Sequence, residues 1–300
     1  MTGQSHARSV RLALVAIPVL FAAVAALQIR IDAKTRTVAQ QEEELLLRSG
    51  PMLKKLSLGY DSLLADIYWT RSVQYYGSKI GSPGERFRLL WPLLDITTTL
   101  DPKLLVAYHF GAIFLSEPVP TGADRPDLAV ELVKRGVAAN PNTWGLDADL
   151  GFLYYWHLKD YQDAAAAYLD ASKKPDAPIW LKMMAAQVAA KGDSFSTSRA
   201  IWAEIFETAQ DPVVKKNAFR HLQSLQAQQD LLELDKYAGG YREKYGRYPA
   251  TVNELYENRI LSAIARDPAG IPYIFGPDGK AQLDPKSPVV IEKPLARSPQ

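Results

Sequence analysis

Between residues 53 and 248 apolar positions recur at helical spacing, with breaks at Gly, Pro or Asp-Pro about every 12 to 20 residues. No stretch there sustains a period of two, so the pattern predicts an all-α body. Ahead of it, behind a tail at 1–11, residues 12–29 (LALVAIPVLFAAVAALQI) carry no charge. As a helix this segment is about 27 Å long, enough to cross a bilayer core. A single transmembrane anchor is the favoured reading. A cleaved signal peptide is the alternative, because Ala23, Val24 and Ala25 offer small residues behind a basic start at Arg8 and Arg11. Residues 30–50 continue as a helical stalk of good helix formers, with Glu42, Glu43 and Glu44 on a solvated face, and Ser49-Gly50-Pro51 closes it.

Self-similarity organises the body, expected at 51–240. Leu150, Gly151, Phe152, Leu153 and Tyr154 are followed by Tyr161, Ala164, Tyr168, Ala171 and Pro175. One unit earlier Phe110, Gly111 and Phe114 are followed by Ala129, Val133, Gly136 and Pro141, with residues 118–126 lengthening the turn. Ala129 and Ala164 stand 35 positions apart, and Pro141 and Pro175 stand 34 apart. Degenerate copies follow the same plan at Leu64, Ala65, Tyr68, Leu90, Leu94, Thr97 and Pro102, and at Ala185, Ala186, Ala189, Ala200 and Pro212. A last helical pair, 213–228 and 231–245, is expected to cap the array.

This pattern resembles the tetratricopeptide repeat (TPR), two antiparallel helices that cross at a small residue and close on a proline. The resemblance implies a TPR-like helical-hairpin solenoid whose first helices line a concave face. Projected onto that face, Asp66, Trp69, Tyr108, Phe152, Tyr155, Trp156, Trp180 and Met183 form an aromatic groove. Such a groove suits an apolar or aromatic-bearing peptide or helix of a protein partner. The cluster of Lys and Asn with which the family clamps a C-terminal carboxylate is missing. Packing of these aromatics against the stalk or the C-terminal segment is the competing structural reading.

At 241–283 the texture changes to a small α+β module. Thr251 is placed to cap a short helix at 251–258, and Gly276-Pro277-Asp278-Gly279 is a hairpin turn between Tyr273-Ile274-Phe275 and Ala281-Gln282-Leu283. Tyr248-Pro249, Leu255, Ile260-Leu261, Asp267-Pro268, Gly270, Pro272-Tyr273 and Gly276 resemble the C-terminal half of type II secretion pseudopilins. Ala269 stands where that signature has tryptophan, and no prepilin-peptidase motif precedes residue 12. The resemblance makes Asp267 and Asp278 candidate calcium donors. Two carboxylates fall short of a calcium shell, so turn stabilisation is the expected role. Residues 284–300 form a proline-rich tail.

Composition narrows the function. In 300 residues, 35 Lys and Arg stand against 33 Asp and Glu, a net charge of +2 that supplies no field for nucleic acid. Cysteine is absent, and the histidines are His6, His109, His157 and His221, without ligand spacing. No nucleophile elbow, dinucleotide loop, phosphate loop or zinc-protease motif occurs. The expected protein is therefore a membrane-anchored scaffold with no catalytic residues, cofactor, metal or small-molecule substrate, and the pseudopilin resemblance implies a setting in secretion, pilus or envelope assembly. Its alternatives are an envelope enzyme with a site built across repeats from Asp61, Asp66, Arg71 and His109, and a purely structural envelope protein.

Arg8 and Arg11 before the apolar segment balance Arg30, Lys34 and Arg36 after it, so charge does not orient it. A short first tail stays in the cytoplasm by default, which puts the body in the periplasm of a bacterial inner-membrane protein. A reporter active only in the periplasm, fused after Gln300, is expected to be active; silence from it beside an active cytoplasmic reporter reverses the placement.

Overall fold

The computed structural model describes residues 20, 24–28, 30, 49–81 and 87–292. The expected anchor at 12–29, the stalk at 30–50 and the end of the tail lie largely outside these residues. Among the described residues no helix is long and apolar enough to cross a membrane. The chain is mostly helical and divides into two compact units: residues to Ser72 with Pro92–Asp101, and Val73–Trp91 with Pro102 onward.

The first unit holds α1 (Gly50–Leu56) and most of α2 (Asp61–Lys79) and α3 (Leu90–Leu100). Pro51 starts α1, where its missing N–H costs nothing. A Cβ on Gly50 would sit 2.7 Å from Thr99 Cβ, so only glycine allows this approach. Ala65, Leu93, Leu94 and Leu100 are buried, and so are Ser72, Thr97 and Thr98. Ser72, Thr97 and Thr98 each donate to the carbonyl four residues back in their own helix, which satisfies them without any outside partner.

The second unit continues with α4 (Leu105–Ser116), α5 (Pro126–Ala139), α6 (Trp144–Phe152), α7 (Tyr161–Ser172), α8 (Trp180–Lys191), α9 (Phe195–Thr208) and α10 (Pro212–Tyr245). A π-helical segment, Leu153–Leu158, extends α6. From α4 to α10 each helix packs on its neighbour in sequence, a solenoid-like order. Two crossings repeat one device. A Cβ on Gly136 would lie 2.8 Å from the Tyr108 ring, and one on Gly151 would lie 3.0 Å from the Tyr168 ring. The roles alternate: tyrosine comes from the first helix of the α4–α5 pair and from the second helix of the α6–α7 pair. Tyr108 is therefore a core residue, 1% exposed, with its hydroxyl toward the Pro102 carbonyl. That removes it from the expected groove.

The expected pair at 213–228 and 231–245 is instead one helix, α10. Asp211 caps it through the Val213 N–H at 2.7 Å, Pro212 opens it, and Gly246 ends it at φ 75°. No glycine or proline separates Gln228 from Leu231, so nothing in the local sequence breaks it.

The second half of α10 belongs to the core of the C-terminal module. Leu234 and Tyr241 pack with Val252 and Leu255 of α11 (Val252–Glu257), and with Tyr273 and Ala281. The predicted hairpin is present as β1 (Ile274–Phe275) and β2 (Ala281–Gln282), antiparallel, with Ile274 opposite Gln282. Asp230 accepts the Tyr273 hydroxyl at 2.8 Å, and Asp235 accepts the Ala281 N–H at 2.8 Å. Burial, then the Asp230 carboxylate, pushes the Tyr273 hydroxyl well above the usual phenol range. Thr251 makes no side-chain cap; Glu254 reaches back to the Ala250 N–H instead, and also takes the Tyr241 hydroxyl and Arg247. Asp267 accepts the Ala269 and Ile271 N–H groups and the Ser287 hydroxyl, and Asp278 accepts the Lys280 N–H.

Gly136→Ala and Gly151→Ala are each expected to cost about 1–3 kcal/mol in urea unfolding, through overpacking against a fixed ring. Gly240→Ala in α10, where nothing lies within 4 Å of the added Cβ, is expected to stabilise by about 0.5–1 kcal/mol. The Glu254 carboxyl is held down to about 2, first by Arg247, then by the Ala250 N–H and the Tyr241 hydroxyl. A depressed acid contributes stability above its unfolded value, near 4.5, and loses it as pH falls through the folded one. Acid titration followed by near-ultraviolet circular dichroism should show this loss between about pH 4.5 and 2, flattened in Glu254→Gln.

Candidate functional site

The second unit contains an open cleft of about 700 Å³. Gly145, Ala148, Asp149 and Phe152 recur at helical spacing along α6 and form one wall; His109 of α4 and Trp180 of α8 close the sides. Trp144 meets Trp180 edge-to-face at 6.4 Å, a favoured aromatic geometry. Phe152 is 46% exposed and Trp180 45%. Tyr168, whose ring covers Gly151, also lines the cleft, and burial pushes its hydroxyl up to about 12.

The polar feature of the cleft is the contact of His109 Nδ1 with Asp149 Oδ2. This hydrogen bond raises the imidazole pKa, against an opposing effect of burial. Gly145 makes room for the ring, since a Cβ there would approach His109 Cε1 to 3.3 Å. The pair lies at equivalent repeat positions, each two residues before a glycine, Gly111 or Gly151. That register is the sequence signal that could have found Asp149 as the partner of His109.

Of the groove residues read from sequence, Phe152 and Trp180 line this cleft. Trp156, 45% exposed, stacks on Phe152 with centroids 6.2 Å apart and planes at 7°. Tyr155 turns elsewhere: its hydroxyl accepts from Lys191 Nζ at 2.8 Å, and its ring meets Tyr161 at 5.7 Å. The π segment explains this, because its extra residue rotates the side chains that follow. Met183 is half-buried on α8 and does not line the cleft. Asp66, exposed, and Trp69, half-buried, belong to the first unit, whereas the cleft is built entirely from the second.

The alternative catalytic set is accounted for locally. Asp61 takes the Ser57 hydroxyl at the start of α2, and Arg71 lies 5.5 Å from the Tyr68 ring centroid on the same helix. Asp66 is exposed between them, and His109 is committed to Asp149. His157 and His221 are both lowered in pKa, first by burial. Among the described residues no group of three His, Cys, Asp or Glu could hold a metal ion.

Because the pair raises the pKa of His109, its contribution is complete below the ordinary value near 6.5 and is lost as pH rises through the folded one. An NMR titration of the imidazole is expected to show a midpoint above that of Asp149→Asn. Equal midpoints would mean that the contact does not form in solution.

No family model matches this chain, and no curated protein matches it significantly.

Proposed function

We propose that this protein is a membrane-tethered, TPR-like scaffold without catalytic activity of its own, whose body holds an apolar or aromatic-bearing peptide or helix from a protein partner. The observation that carries the reading is the cleft, where Phe152 and Trp180, with Trp156 stacked beside it, leave nearly half of each ring in water. Aromatic rings held open by a rigid wall are the usual anchors of protein recognition, since they bring large contact area at a small entropic cost. The wall here is rigid because Gly151 lies directly under the Tyr168 ring.

Charge plays a secondary part in this proposal. Asp149 already engages His109, so the cleft presents a matched pair rather than a net field. The apolar segment at 12–29 would tether the body, and the pseudopilin-like texture of 241–283 supports a setting in bacterial secretion, pilus or envelope assembly.

A photocrosslinking residue placed at Leu158, the exposed last residue of the π segment, provides the test in the full-length chain in native membranes. A discrete protein adduct is expected, lost in Phe152→Ala and in Trp180→Ala while the thermal midpoint stays within a few degrees of wild type. An unchanged adduct together with a collapsed midpoint would make these rings core and end the proposal.

A further inference from the structure

A second cavity, of about 300 Å³, lies among α8, α9, the first half of α10 and the segment ending at Glu292. One wall is fixed by His221 stacked on Trp202, with centroids 4.1 Å apart and planes at 6°. Ser224 ties the chain end to the helix, accepting the Glu292 N–H at 2.8 Å and the Gln228 side-chain amide at 3.0 Å.

Two features of this cavity bear on what it could hold. The Ser198 hydroxyl lines it, is 0% exposed, and has no hydrogen-bond partner. The buried hydroxyls of Ser72, Thr97 and Thr98 all return to a carbonyl of their own helix, a solution Ser198 does not use. Arg220 and Glu292 also line the cavity, and both act on His221 with opposite sign. Yet among the described residues no ion pair joins them. Arg220 reaches only Asn217 Oδ1, at 3.2 Å, and Glu292 is engaged through its backbone.

We propose that this cavity is a binding site for a small zwitterion of the free α-amino acid class. Its carboxylate would face the Arg220 guanidinium and its ammonium group the Glu292 carboxylate, each through charge-assisted hydrogen bonds. Ser198 Oγ offers the polar contact at the floor. An anion alone would meet Glu292 and a cation alone would meet Arg220, so the opposed charges select a ligand carrying both. The volume stands at the lower end for small-molecule pockets. This ligand lies outside the expectation from sequence that no small molecule is bound, and the site is independent of the aromatic cleft.

Isothermal titration calorimetry on the full-length chain with the free α-amino acids, their N-acetyl forms and their amides is the test. At least one free amino acid is expected to bind saturably, with both blocked forms weaker by about tenfold or more. Arg220→Ala, on an exposed side chain, should weaken binding to a similar degree. Ser198→Ala should weaken it while leaving the thermal midpoint equal or higher, since it deletes an unsatisfied hydroxyl. Absence of saturable binding across the whole set, equal binding of the N-acetyl forms, or full affinity in Arg220→Ala would each overturn the assignment.

Discussion

The second unit depends on two places where a tyrosine ring lies flat against a glycine of the neighbouring helix. Tyr108 over Gly136 and Tyr168 over Gly151 bring helix axes closer than any side chain on the glycine would allow. Each helical pair is amphipathic and cannot bury its apolar face alone, so this closeness sets how well successive pairs stack. It also builds the cleft. Tyr168 is at once the ring of the second crossing and part of the cleft lining, and the glycine it covers lies two residues from Asp149 and one from Phe152. A change at Gly151 would therefore be felt in packing and in the cleft together.

Helix α10 is the second organising element, because its two halves serve different cores. Its first half packs on α9, where Trp202 and His221 stack. Its second half supplies Leu234 and Tyr241 to the C-terminal module, whose strands are only two residues long and cannot stand alone. Carboxylates fasten what the short strands cannot: Asp230 to Tyr273, Asp235 to the Ala281 amide, and Glu254 to Tyr241. Most of the partners are neutral donors, so the charges stay at the module's surface while their bonds reach inward.

Much of this was legible in the sequence, and the misses have physical causes. The helical pattern, the Gly151 crossing and the Pro-Asp-Gly hairpin follow from spacing and turn chemistry that the structure uses directly. Tyr108 was misplaced because it lies three residues before the buried Gly111, hence on the same helical face, a relation that outweighs projection from a repeat template. Tyr155 was misplaced by the π segment, which no residue pattern announces. The break expected inside 213–245 came from the repeat plan rather than from any local stop signal. His109 and Asp149 were missed as a pair because two helices must stack before residues 40 apart can touch.

The near-zero net charge also takes on a different meaning once the partners are placed. Several charges are matched nearby: Lys174 with a buried Asp147, Lys182 with Glu204, Arg247 with Glu254, and Lys191 against the rings of Tyr155 and Tyr161. Matched charges exert little field at a distance. Arg220 and Glu292 line one cavity without joining. Two opposite charges left apart around one cavity are stabilised most by a molecule that carries the complementary pair, so the proposed zwitterion is selected by their separation rather than by either charge alone.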